Sequence, residues 1–306
     1  MKVLDGSFLE WSEGPLAVTI GVFDGVHRGH QHILETLARR AGSVPVGVVT
    51  FRTHPAALTS PQGAPPLICS VAQRIELLAA GGVDVVALLD FDDALRRMPA
   101  ERFVREVLVG HLGAEHVVVG TGFRFGHELS GDTGLLQRLG IEMGFTATAV
   151  PVLGGATPVS STAIRTAIAD GDVEEAAALL GRPFQLRGTV VAGDGRGRGI
   201  GFPTANLSFP AGLATPGHGV YAVFVDADGT NRGGVANVGV RPTFAGTAEV
   251  VEVHVFDFDR DLYGSELRVD FLARLRDEMR FAGVGELVAQ IGRDVTAARH
   301  LLAQRS

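Results

Sequence analysis

Gly21-Val22-Phe23-Asp24-Gly25-Val26-His27-Arg28-Gly29-His30-Gln31 lies between an apolar run, residues 16–22, and a helical pattern at Ile33, Leu34, Leu37 and Ala38. That order reads as a strand, a glycine-rich turn and a helix. His27 and His30 fall where the helix begins. A helix start offers unpaired N–H groups and the positive end of the macrodipole to an anion. Two imidazoles there add donors to a phosphate site. Alone, the string also fits a helix start with two surface histidines, so the rest of the chain has to decide.

Residues 1–182 repeat this alternation. Short, Val-rich strands read at 17–21, 46–51, 83–91, 116–120 and 145–150. Amphipathic stretches read at 30–41, 71–81, 99–111 and 133–144, with two more at 161–170 and 173–181. Such alternation predicts an α/β fold with a parallel sheet covered by helices on both faces. Ligands of such sheets bind beyond the carboxyl ends of the strands. The histidine string follows the first strand, and three others follow later ones. Thr50-Phe51-Arg52-Thr53-His54-Pro55 follows the second, and Gly120-Thr121-Gly122-Phe123-Arg124-Phe125-Gly126-His127 the fourth. Val159-Ser160-Ser161-Thr162-Ala163-Ile164-Arg165 follows the fifth after a loop. Ser160 or Ser161 can cap a helix there, and Arg165, about one turn in, can reach a triphosphate at its start.

The pattern changes near Gly181-Arg182-Pro183-Phe184. Alternating, turn-bounded segments at 185–192, 219–225, 232–238, 250–258 and 267–275 predict an antiparallel sheet or small barrel over 183–306. Residues 285–304 carry the spacing of a closing helix. Gly193-Asp194-Gly195-Arg196-Gly197-Arg198-Gly199-Ile200-Gly201 reads as a flexible loop, whose N–H and guanidinium groups can cover phosphates. Phe202-Pro203-Thr204-Ala205-Asn206 then fixes a turn and aims Thr204 and Asn206 from same-face positions. Their oxygens suit Mg²⁺ shared with ATP phosphates. Glu252, in a β-pattern near that site, is a candidate base for a hydroxyl nucleophile.

The bulk composition narrows the classes. The 306 residues are 46% apolar and 20% charged, as in a globular chain. A net charge of −7 argues against a nucleic-acid or membrane-surface binder. No apolar run is long enough to span a membrane, and the start shows no secretion signal. Cys69 is the single cysteine, permits no internal disulfide and reads as a small apolar filler. These features point to the cytoplasm. Lys2 is the single lysine, which excludes a Walker-type P-loop. Phosphates must meet Arg, His, backbone N–H groups or a metal.

The motifs together resemble the prokaryotic bifunctional riboflavin kinase/FAD synthetase family. The first half resembles its FMN adenylyltransferase module, a Rossmann-like nucleotidyltransferase domain: Gly-x-Phe-Asp-Gly-x-His-x-Gly-His, Thr-Phe-x-x-His-Pro, Phe-x-Phe-Gly and Ser-Ser-Thr-x-x-Arg occur in order. The second half resembles the riboflavin kinase domain, a six-stranded antiparallel barrel with a terminal helix. It shares Gly-Ile-Gly-Phe-Pro-Thr-Ala-Asn at 199–206, the strings around Asn237 and Glu252, Asp261-Leu262-Tyr263-Gly264, and Arg276-x-Glu278-x-Arg280-Phe281.

The resemblance implies that riboflavin becomes FMN, and FMN becomes FAD, with ATP as co-substrate and Mg²⁺ as cofactor. It assigns His27, His30 and Arg165 to phosphates, with Asp24 and Mg²⁺ near them. Gly21, Phe23, Gly29, Phe123, Phe125, Ser160, Ser161 and Thr162 join the nucleotide and flavin contacts. His54 reads equally as a phosphate contact or as a structural imidazole beside Pro55. In the second half, Thr204 and Asn206 would hold Mg²⁺–ATP, with Gly195, Arg196, Arg198, Gly201 and Pro203 around it. Arg276 joins the ligand contacts, and Phe281 either faces the flavin or packs beneath the terminal helix. Glu252 would deprotonate the riboflavin 5′-hydroxyl. Gly122 departs from the family pattern, which usually has Asp or Asn there, so a side chain that could bond a ligand or position the loop is missing. No nucleic-acid or membrane partner is expected, and a weak homo-oligomer stays open.

Overall fold

The computed structural model describes residues 1–6, 11–154, 158–193, 195–243 and 246–305, without the side chains of 196 and 241–248. By their contacts they form two compact units, Met1–Ser161 and Thr162–Ser306.

In the first unit, β1 (Lys2–Asp5), β2 (Leu16–Ile20), β3 (Val46–Phe51), β4 (Val85–Leu89), β5 (Ala114–Gly120) and β6 (Thr146–Val150) form a parallel sheet. Their order is β1-β4-β3-β2-β5-β6. The expected strands are all present. β1 was not anticipated, since four residues at a terminus carry no readable period; it pairs with β4. Alternate residues of β2 enter two cores. Leu16, Val18 and Ile20 pack with Phe103, Leu108 and Leu136, whereas Ala17 packs with Leu34, Leu37 and Leu78. Both faces are therefore covered, which explains the near-continuous apolar runs. The chain order reverses between β2 and β5, so ligands are expected at the carboxyl ends of these two strands.

The helices Arg28–Ala41, Val71–Ala80 and Thr133–Met143 match the expected spans within two residues. The stretch read as one helix over 99–111 is instead a turn, Ala100–Phe103, running into a π-helical segment, Val104–His111.

The second unit holds β7 (Phe184–Val191), β8 (Ala205–Ser208), β9 (Gly219–Asp226), β10 (Asn231–Thr243), β11 (Gly246–Val255) and β12 (Glu266–Arg276). Among the described residues these close into an antiparallel barrel in the order β10-β11-β8-β7-β12-β9. β8 is the strand that the sequence pattern did not show, being four residues long. The helix Val284–Ala303 lays Ala298 and Leu302 against Val220, Ala222, Val235 and Phe256 of the barrel.

Helices Ser161–Ala169 and Val173–Leu180 were read with the first half, but all except Ser161 belong to the second unit. The helix Val173–Leu180 packs on β7 and β12. Its Val173, Ala176 and Leu180 are buried. The Gly217 N–H donates to Ile168 O at 2.9 Å, and Arg305 bonds Glu174 at 2.6 Å.

Candidate functional site

The turn after β2 is strained and heavily tied. Phe23 and Val26 have φ of 53° and 41°, and Gly25 has 76°. Left-handed backbone at a β-branched residue costs on the order of 1–3 kcal/mol and persists only where the surroundings impose it. Here the ties are visible. Asp24, 1% exposed, accepts from Ile68 N at 2.9 Å and from Cys69 N at 3.4 Å. Cys69 Sγ accepts the Gly25 N–H at 3.3 Å, more than a filler's part. A side chain at Gly25 would press on Ile68, 2.8 Å from where its Cβ would lie. Asp24 was expected near Mg²⁺ and phosphates; the two oxygens bonded to the 68–69 amides act on the turn itself.

His27 is the N-cap of the helix Arg28–Ala41, with Nδ1 accepting the His30 N–H at 3.3 Å. In the neutral ring this leaves Nε2 carrying the hydrogen. The two imidazoles stack with centroids 3.6 Å apart, and Phe23 lies 4.7 Å from His30. Burial, reinforced by His27 and Arg74, holds His30 well below the ordinary imidazole range. His30 is therefore a neutral group, and its buried Nδ1 has no hydrogen-bond partner. Gly29 lets neighbours approach: a Cβ there would meet the His27 ring at 3.1 Å and Val159 O at 3.4 Å. Ser161 Oγ donates to Asp24 O at 3.3 Å, which brings the Ser-Ser string onto the histidine turn. Thr162 and Arg165 continue the same helix in the second unit.

Beside this turn lies a cleft of ≈ 690 Å³, bordered by Gly21, Val22, Phe51, Phe91, Phe123 and Phe125 among others. Phe123 and Phe125 are parallel, with centroids 5.4 Å apart. Their loop is fixed by a bridge between Phe125 and Gly131 and by Gly126, whose φ is 73°. Gly126 has no room for a Cβ, which would lie 2.5 Å from Ala100. Such a slot fits a flat aromatic ligand. His54 precedes Pro55, which borders the cleft, and its Nδ1 accepts from Ala56 N at 3.1 Å.

In the barrel, Asn206 on β8, Glu252 on β11 and Asn237 on β10 stand in register across three strands. In-register side chains share a face with Cβ atoms about 5 Å apart. Glu252 is half-buried, while Val251, Val253 and Val255 fill the opposite face. The motif around Asn237 assigns it no role; strand register sets it beside Glu252. Arg198, Pro203 and Thr204 border a small pocket closed by Phe258, Arg260 and Tyr263. Residues 196–199, read as a flexible loop, form one helical turn, with positive φ at Gly195 and Gly201. The Arg196 side chain lies outside the described residues.

Arg276 is occupied structurally. Its Nη2 bonds Asp294 at 2.8 Å, Nε bonds both Asp294 oxygens at 3.1 Å, and Nη1 donates to Asp277 O. Asp294, on the terminal helix, is buried. Phe281 faces the Arg276 guanidinium at 6.0 Å.

The first unit thus has the parts of a nucleotidyl transferase and the barrel those of a small kinase. Comparison with known proteins agrees, half by half. The family model for FAD synthetase matches residues 10–163 and that for riboflavin kinase residues 180–302. The bifunctional riboflavin kinase/FMN adenylyltransferase of Escherichia coli K12 is 43% identical over 92% of this chain and 91% of its own length. That of Pseudomonas fluorescens is 44% identical over 93% and 92%. A Streptococcus pneumoniae structure, described as a macrolide-efflux protein, superposes with TM-score 0.86 at 34% identity over 95% of both chains. No helix among the described residues is long and apolar enough to cross a membrane. This chain belongs to the bifunctional riboflavin kinase/FMN adenylyltransferase family.

Proposed function

We infer that this chain phosphorylates riboflavin with ATP to give FMN, then adenylylates FMN to FAD with release of pyrophosphate. The observation that carries this is the match of both halves, in one chain and in the family order.

In the first unit, ATP phosphates lie over the turn from Gly21 to His30, close to the backbone at Gly29. His27 Nε2–H and the neutral His30 face them as donors whose charge does not change during the reaction. The flavin ring enters the slot beside Phe123 and Phe125. An FMN phosphate oxygen forms a bond to the ATP α-phosphorus as the bond to pyrophosphate breaks. The chain's part is alignment and charge stabilisation. Asp24 acts through the turn it holds. Phosphate roles for Ser160, Thr162 and Arg165 rest on the motif.

In the barrel, the donor set fits Mg²⁺. Thr204 and Asn206 supply hard oxygens, and the glycine turn closes on both. A Cβ at Gly197 would lie 3.3 Å from Thr204 Oγ1, and one at Gly193 2.1 Å from Asn206 Nδ2. When bound, the ion neutralises phosphate charge. Glu252 takes the proton of the riboflavin 5′-hydroxyl, whose oxygen attacks the γ-phosphorus as ADP leaves. Arg198 lies at the edge of the same pocket. We place the enzyme in the cytoplasm, where a lone cysteine stays reduced.

The test is to incubate the protein with riboflavin, Mg²⁺ and ATP and separate the flavins. FMN plus FAD is the expected outcome. FMN alone restricts the activity to the kinase, and neither product overturns the reading.

A further inference from the structure

Among the described residues Arg74 is the largest fully buried side chain, 1% exposed, on the helix Val71–Ala80. Its Nη1 bonds three oxygens: Val22 O at 2.7 Å, Phe51 O at 2.9 Å and Thr50 Oγ1 at 3.0 Å. Thr50 Oγ1 in turn donates to Val22 O at 2.9 Å. Val22 precedes the strained turn that bears His27 and His30. Phe51 ends β3, and both residues border the aromatic cleft. One nitrogen thus connects the imidazole turn with the cleft wall.

A buried charge is weak evidence for stability, because taking the ion out of water carries a desolvation penalty. Arg74 Nε has no hydrogen-bond partner. Burial pulls the guanidinium's pKa down, yet from so high a start it stays protonated. What the charge supplies is geometry: one fixed donor shared by the carbonyls of Val22 and Phe51.

We propose that Arg74 is a positioning residue of adenylyl transfer, locking the His27–His30 turn to the flavin cleft through Val22, Thr50 and Phe51. The proposal rests on the reading of that turn as the adenylyl-transfer site. An ångström of misplacement costs on the order of 10²-fold in rate. Val22, freed, lets the left-handed residues Phe23 and Val26 relax toward ordinary backbone and carry the imidazoles with them.

The test measures FMN adenylylation for Arg74→Met, Arg74→Lys, Thr50→Val and His30→Ala. Riboflavin phosphorylation and thermal unfolding are followed on the same samples. Arg74→Met is expected to lower kcat about 10²-fold, with KM for FMN and ATP within about threefold and phosphorylation unchanged. Arg74→Lys keeps the charge and donors and is expected to recover kcat to within about tenfold. Thr50→Val removes one tie and is expected to cost about tenfold. Arg74→Met with kcat within about threefold of the parent, or with the loss confined to KM, overturns the proposal. Should Arg74→Met unfold the first unit, Thr50→Val decides, and an unchanged kcat there overturns it. Full FAD synthesis by His30→Ala instead overturns the reading of the site. An inactive His30→Ala beside a normal Arg74→Met overturns the positioning role alone.

Discussion

Glu252 on β11 and Asn206 on β8 are register partners, so a candidate base and a candidate metal ligand share one face of the barrel about 5 Å apart at Cβ. They are 46 residues apart in sequence, 252 − 206. The pairing puts a carboxylate and an amide from distant parts of the chain side by side.

Glu252→Gln keeps the shape and removes the base. FMN formation is expected to fall by roughly 10²–10⁴, while supplied FMN is still converted to FAD. Flavin chromatography reads both steps, and a kinase rate within about threefold of the parent places the base elsewhere.

His30→Ala is expected to lower FAD formation by ~10²–10³ and leave FMN formation intact. His30 also makes stability depend on pH. Its folded pKa is lowered, so below about pH 6.5 the unfolded chain binds a proton that the native site refuses. Stability of the first unit is therefore lost as pH falls through about 6.5. Thermal unfolding between about pH 8 and 5 reads this, and His30→Ala should flatten it.

Gly122→Asn supplies the type of side chain that the family resemblance leads one to expect there. Gly122 has no positive φ, and a Cβ there meets nothing within 4 Å. The variant should therefore fold normally. A lower KM for FMN or ATP in adenylyl transfer is the expected outcome, and an unchanged value shows that the loop has compensated.

Fragments test where the kinase begins. A cut at 184 removes Val173, Ala176 and Leu180 from their packing on β7 and β12. Each large apolar side chain so lost is worth about 1.5–3 kcal/mol. Residues 162–306 should fold and phosphorylate riboflavin, whereas 184–306 should be several kcal/mol less stable. Equal denaturation midpoints for the two would show that these helices are dispensable.

Arg276→Met strands the buried Asp294 carboxylate, a loss of about 3–5 kcal/mol where one partner of a buried pair is removed. Unfolding of the second unit should shift accordingly. If instead only the KM for riboflavin moves, Arg276 serves the ligand more than the helix.

Much of the architecture was readable because periodicity reports burial directly. The strands β2, β3 and β4 are covered on both faces, and the helices announce themselves by apolar spacing. β1 and β8 escaped, since four residues give no period. The sequence does not say which sheet the helix Val173–Leu180 meets, because Val173, Ala176, Leu179 and Leu180 declare an apolar face without its partner; the contacts put it on β7 and β12.

By itself the sequence determined the two fold classes and the order of the phosphate-handling motifs, since glycine, histidine and serine at fixed spacing dictate local backbone and local chemistry. Only the tertiary structure decided which of those groups are occupied by the protein's own atoms. Asp24 turns its carboxylate to the amides of Ile68 and Cys69, and Arg276 grips Asp294. It also brought in Arg74, a group that no motif marked, by burial, and set Asn237 beside Glu252 by strand register. The reason is physical. A guanidinium or carboxylate has no intrinsic partner; the partner is whatever the fold carries into reach, and residues 22, 50 and 74 meet only once the sheet and its covering helix have packed.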